Sequence, residues 1–98
     1  MIDVIWSPEA LRDLESIRDY IGRDSAAYAD LVVRRIVAAV ERLRLFPESG
    51  RIVPERAVPS IREVIVRPYR VVYRLRGGAV EIVTVFRASR LLILPTED

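Results

Sequence analysis

An α+β domain, with a pair of helices packed on one face of an antiparallel sheet, is predicted by three features of this 98-residue chain. Ile61 to Arg90 is rich in β-branched, aromatic and arginine residues and is punctuated by Arg67-Pro68 and Gly77-Gly78. Pro8 to Leu45 instead carries apolar residues at helical spacing, broken once near Gly22. Ile2 to Trp6 is a short apolar run of strand type. The expected order is an N-terminal strand, an antiparallel helical hairpin and a three-stranded antiparallel sheet, in one domain spanning residues 1–98.

Each element has a local cause. Ile2 to Trp6 is short enough to be either a buried or an edge strand, with Trp6 as a core or edge anchor. Ser7-Pro8-Glu9 then starts a helix: serine caps, proline tolerates the first position, and glutamate suits the positive end of the dipole. Ala10, Leu14, Ile17 and Ile21 form its apolar stripe with Leu11 beside them, while Arg12, Asp13, Arg18 and Asp19 lie off it. Gly22 is the natural stop. Asp24 or Ser25 caps a second helix running to about Leu45, striped by Ala29, Val33, Ile36, Val40 and Leu43 and widened by Val32 and Val37. The short connection between the helices makes them an antiparallel hairpin. Residues 46–60, with Pro47, Pro54 and Pro59, are a loop, and an ordered loop of this length in a small domain is more often functional than idle.

Gly77-Gly78 supplies the positive φ angles of a two-residue type I′ turn and so sets a register. Arg76 then faces Ala79, Leu75 faces Val80, Arg74 faces Glu81, Tyr73 faces Ile82, Val72 faces Val83, and the pairing continues to Tyr69 opposite Phe86. Alternation sorts Tyr69, Val71, Tyr73, Leu75, Val80, Ile82, Thr84 and Phe86 onto a core face. Arg70, Val72, Arg74, Arg76, Glu81, Val83, Val85 and Arg87 share the other, where valines mixed with arginines suggest a partner-binding surface. Arg67-Pro68 does not suit a primed turn, which leaves the register of the strand at Ile61 to Val66 open. Leu91 to Leu94 reads as an extra edge strand or an apolar tail available to a partner.

Composition removes whole classes of chemistry. Cysteine and histidine are absent, and all 16 basic residues are arginines. Disulfides, thiol catalysis, lysine nucleophiles and the usual near-neutral acid–base group are therefore excluded. No metal-ligand spacing or phosphate-cradling glycine loop occurs, so no cofactor is expected. The net charge of +2 places any electropositive character in clusters rather than in the whole chain. No apolar run approaches the ~20 residues of a membrane span, and the N-terminus lacks a secretory pattern, so a cytoplasmic location without membrane contact is expected.

The order β-α-α-β-β-β, with PESGRIVPE in the loop, then REVIVRPYRVVYRL and VEIVTVFRASR, resembles the RelE/ParE toxin superfamily of type II toxin–antitoxin modules. Gly50-Arg51-Ile52-Val53-Pro54-Glu55, Arg62-Glu63 and Pro68 to Tyr73 look more like the ParE branch than the RelE branch. The resemblance implies a toxin wrapped by a cognate antitoxin as a hetero-oligomer, with DNA gyrase as the ParE-type target; RelE-type members instead cut messenger RNA in the ribosome. Arg87 stands where many relatives carry histidine before the final arginine, here Arg90. The residues expected to form the functional face are Arg51, Arg62, Arg70, Arg74, Glu81, Arg87 and Arg90, none of them assigned a catalytic role.

RNA cleavage needs an acceptor for the 2′-hydroxyl proton, a donor for the leaving oxygen and positive charge at the phosphate. Arginines supply only the charge, and the candidate bases are Glu48, Glu55, Glu63 and Glu81. Glu81 lies opposite Arg74, where a cross-strand ion pair is the simpler expectation. Between the two activities, the absence of histidine and lysine favours a toxin that acts by occupying a surface.

Overall fold

The structure, a computed structural model, describes residues 1–92. Strand β1 (Asp3–Trp6) leads into helices α1 (Pro8–Gly22) and α2 (Ala26–Glu41), and a 3₁₀ turn follows at Arg42–Arg44. Strands β2 (Arg51–Ile52), β3 (Ile61–Val66), β4 (Tyr69–Arg76) and β5 (Ala79–Arg87) complete it. The sheet has five strands, in the order β1-β5-β4-β3-β2, rather than the expected three. The addition at one edge is β1, which returns parallel to β5 because the helical hairpin carries the chain back across one face. At the other edge, β2 is a two-residue strand contributed by the loop.

Both helix starts follow from their caps. The Ser7 hydroxyl accepts from the Ala10 amide at 3.0 Å and donates to the Val83 carbonyl at 2.9 Å, so one side chain starts α1 and ties it to β5. Ser25 caps α2 by accepting from the Tyr28 amide at 3.0 Å. The helical stripes then meet the sheet. Ala10, Val32, Ile36, Val40 and Leu43 pack with Tyr69, Val71, Tyr73, Val80, Ile82 and Val85, and half-buried Trp6 joins them as an anchor.

The Gly77-Gly78 turn sets the first four pairs as expected, from Arg76↔Ala79 to Tyr73↔Ile82, with both glycines at positive φ. Beyond them the register shifts by one residue. Val72 lies opposite Thr84, Val71 opposite Val85, Arg70 opposite Phe86 and Tyr69 opposite Arg87, so Val83 is the extra residue of a bulge. The shift exchanges faces: Val85 enters the helix-side core and Phe86 joins the opposite side, which corrects the expected placement of both. Thr84 likewise leaves the core face, and its hydroxyl donates to Asp13 at 2.7 Å. Arg67-Pro68 forms a two-residue connection after all, pairing Val66 with Tyr69 and fixing Ile61 opposite Arg74.

The face away from the helices carries a second, smaller core. Val53 from the loop and Leu92 from the C-terminal segment close over Ile61 and Val72, with Val83 and Phe86 packed alongside. Burial of one such aliphatic side chain contributes about 1.5–3 kcal/mol, enough to fasten each covering segment locally. The expected apolar tail at Leu91 to Leu94 is thus split: Leu92 is buried in this core, Leu91 is exposed, and Ile93 and Leu94 lie outside the described residues.

Candidate functional site: an arginine–carboxylate cluster and the groove beside it

Alternation along β4 puts the Arg70 side chain beneath the loop, where it is buried. Its Nε donates to Glu63 Oε1 at 2.6 Å, and its two Nη atoms grip both oxygens of Glu55 at 2.8 and 2.7 Å. Nη1 also donates to the Arg90 carbonyl at 2.9 Å. Glu63, 1% exposed, is held on its other oxygen by Arg51, its register partner on β2. The buried charges of Arg70 and Glu63 are therefore neutralised by each other and by Glu55 and Arg51 at the rim of the far face.

Electrostatics follow from these contacts. Arg70 lowers the Glu55 carboxyl to about 2, helped by the Leu92 amide donating to Oε2 at 3.0 Å. The same two carboxylates raise Arg70 further above its ordinary value, with Glu55 the larger contributor. The Arg70 guanidinium also lies over the Phe86 ring at 5.1 Å, and Arg90 lies 5.9 Å from the centre of that ring. Phe86 reaches both only because the bulge moved it off the helix side.

The loop is stapled at its other end. Arg62 donates to the carbonyls of Pro59, Glu48 and Gly50 at 2.9, 3.1 and 3.0 Å. Tyr73 reaches from the core to donate to the Pro47 carbonyl at 2.8 Å and accept from the Gly50 amide at 3.0 Å. Burial raises the Tyr73 phenol above its ordinary value. Gly50 has no room for a side chain, since a Cβ there would stand 2.6 Å from both the Glu63 carbonyl oxygen and the Tyr73 hydroxyl.

The structure brings Arg51, Arg70 and the backbone of Arg90 together and gives Arg62 to the loop. Arg74 and Glu81 are register partners, yet the expected ion pair between them is not formed. Arg87 is moved by the register shift: it pairs with Tyr69 and lines a cleft with Ile17, Tyr20, Val85 and Arg90, apart from the Arg51–Glu63–Arg70 cluster. Among the candidate bases, Glu55 and Glu63 are spent on arginines.

Two functional groups escaped the sequence reading. Asp13, placed off the α1 stripe, accepts from the Val85 amide at 2.8 Å as well as from Thr84, and so closes the edge of β5 where β1 has ended. Its signal was weak, a lone acid beside a stripe. The Tyr73 hydroxyl was hidden by its core position; a buried tyrosine needs a partner, and Gly50 was the available clue.

Beside the cluster, a groove of about 500 Å³ runs between the start of α1 and residues 90–92. Arg12, Arg74, Arg90, Val83 and Phe86 line it. Among the described residues, no helix is long and apolar enough to cross a membrane.

Comparison with known proteins places this architecture. Residues 4–92 match the family described as ParE toxin of type II toxin-antitoxin system, parDE. Toxin RelE2 of Caulobacter vibrioides (strain ATCC 19089 / CIP 103742 / CB 15) is 40% identical over 92 residues, covering 93% of this chain and all of that protein. A Sinorhizobium fredii (strain NBRC 101917 / NGR234) protein, Y4kP, is 42% identical over 87 residues, 87% of this chain and 86% of its own length. A structure described as the chromosomal ParDE TA system from P. aeruginosa superposes with a TM-score of 0.74 at 27% identity, covering 89% of this chain and 96% of that one.

Proposed function

Because the chain belongs to the ParE toxin family of type II toxin–antitoxin systems, we propose that it arrests growth by binding DNA gyrase and is neutralised by a cognate antitoxin. The observation that carries the reading is the fate of the charged groups on the far face. Glu63 has both oxygens engaged by Arg70 and Arg51, and Glu55 is held near 2 by Arg70, so Glu55 is not a proton acceptor poised near neutral pH. The Tyr73 hydroxyl is occupied by Pro47 and Gly50, and its raised value makes it a poorer acid. These groups hold a surface in shape; they do not form an acid–base pair. A toxin built this way acts by occupancy, with exposed arginines such as Arg12, Arg87 and Arg90 offered to a protein or nucleic-acid surface.

The partner assignment draws on the family and on the likeness to a chromosomal ParDE TA system from P. aeruginosa. Inducing the chain without antitoxin and following two readouts tests the reading. Loss of plasmid supercoiling with intact transcripts is expected. Codon-phased new 5′ ends in reporter transcripts would replace it with the ribosome-dependent nuclease reading.

A further inference from the structure

Arg74 and Glu81 sit opposite each other on β4 and β5, yet neither side chain makes a hydrogen bond or ion pair with any described residue. The Arg74 Nε and the Glu81 Oε1 are nevertheless buried. Native proteins satisfy nearly all such atoms, because an orphan bears its full desolvation cost, so two side by side require an explanation. Arg51, Arg62 and Arg70 on the same sheet all find partners within the chain, whereas the Arg74 and Glu81 side chains find none among the described residues.

Their surroundings identify what is missing. In register, Ile5, Glu81, Arg74 and Ile61 form a row across β1, β5, β4 and β3. The loop and the C-terminal segment cover the row at Ile61, but Ile5 at the other end is 53% exposed. Arg74 opens into the groove together with Val83, Arg12, Arg90 and Glu9. The groove's remaining acid, Asp13, is already committed to Thr84 and Val85. The unspent lining charge is therefore basic, beside an apolar strip.

We propose that this row and groove dock a segment of the antitoxin that brings a carboxylate to Arg74 and a hydrogen-bond donor to Glu81, while an apolar side chain covers Ile5 and Val83. The proposal rests on the reading that an antitoxin is the partner of this chain, and it adds where that partner binds and by what chemistry. The segment supplies partners to the two half-buried side chains whose Nε and Oε1 atoms the chain leaves unmatched.

The test uses the full chain and purified full-length cognate antitoxin, with affinity measured by calorimetry and folding checked by thermal melting. R74Q and E81Q are each expected to weaken binding at least tenfold with native-like melting. The exchange variant R74E/E81R separates the roles: a pair serving only each other tolerates exchange, whereas groups that read a partner do not. Binding lost in the exchange variant supports the proposal. Wild-type affinity in all three variants overturns it while leaving the antitoxin reading intact. No binding by the unaltered chain overturns that reading and the proposal with it. Self-association lost in the variants, with antitoxin binding unchanged, assigns the groove to a second copy and also overturns the proposal.

Discussion

Arg70 and Glu55 meet in a two-pronged pair, with Nη1 2.8 Å from Oε2 and Nη2 2.7 Å from Oε1. The pair joins the sheet to the loop, and Arg70 also donates to the Arg90 carbonyl, so one guanidinium organises both segments covering the far face. Arg70→Met also removes a partner of Glu63, which remains buried. A loss of about 3–5 kcal/mol is expected from breaking such a cluster, read as a lower midpoint in urea. Arg70→Lys should recover little, because a single ammonium cannot reproduce the fork together with the Nε contact to Glu63.

Acid should release the covering segments before it unfolds the helical side. The Glu55 carboxyl is depressed to about 2 from an ordinary value of 4.5, so its contribution is fully present above about 4.5 and is lost as pH falls toward 2. Amide exchange at Leu92, whose N–H donates to Glu55, is expected to accelerate across that window in the native chain. In Glu55→Gln the step should be absent; the same acid-dependent step in that variant would remove Glu55 from the account.

Gly50 and Gly22 should respond oppositely to alanine. At Gly50 a methyl group meets backbone and the Tyr73 ring system within 3 Å, and Gly50→Ala is expected to cost about 1–3 kcal/mol. At Gly22 the nearest atom, the Ala29 Cβ, stands 3.9 Å away at the end of α1, and Gly22→Ala should be neutral or stabilising by up to about 1 kcal/mol. Thermal melts of the two variants compare them directly.

Asp13→Ala should destabilise by roughly 1–3 kcal/mol, since the Thr84 hydroxyl and the Val85 amide both lose their acceptor. Glu15→Ala, on the exposed side of the same helix, is the control and should change little.

The register of the first four β4–β5 pairs was legible because Gly77-Gly78 names its own turn. The bulge was not, because Val83, Thr84, Val85 and Phe86 read equally well in either phase: valine at both 83 and 85 leaves the alternation silent about a one-residue slip. That silence misplaced Phe86 and Arg87. The helices and the Ser7 cap were legible from spacing and cap chemistry alone, while the second cap was narrowed only to Asp24 or Ser25. The parallel return of β1 and the two-residue β2 depend on tertiary pairing that no local pattern encodes. Arg51, Arg62 and Arg70 were recognisable as a group, but their internal carboxylate and carbonyl partners became visible only once the loop was seen folded over the sheet.

Supercoiling by purified gyrase in the presence of the purified, antitoxin-free chain tests the central claim most directly. The account predicts a dose-dependent loss of supercoiling, reversed by adding antitoxin, with messenger RNA left intact on ribosomes in a parallel reaction. Full supercoiling at every toxin concentration, together with cleavage of ribosome-bound messenger RNA, would contradict it.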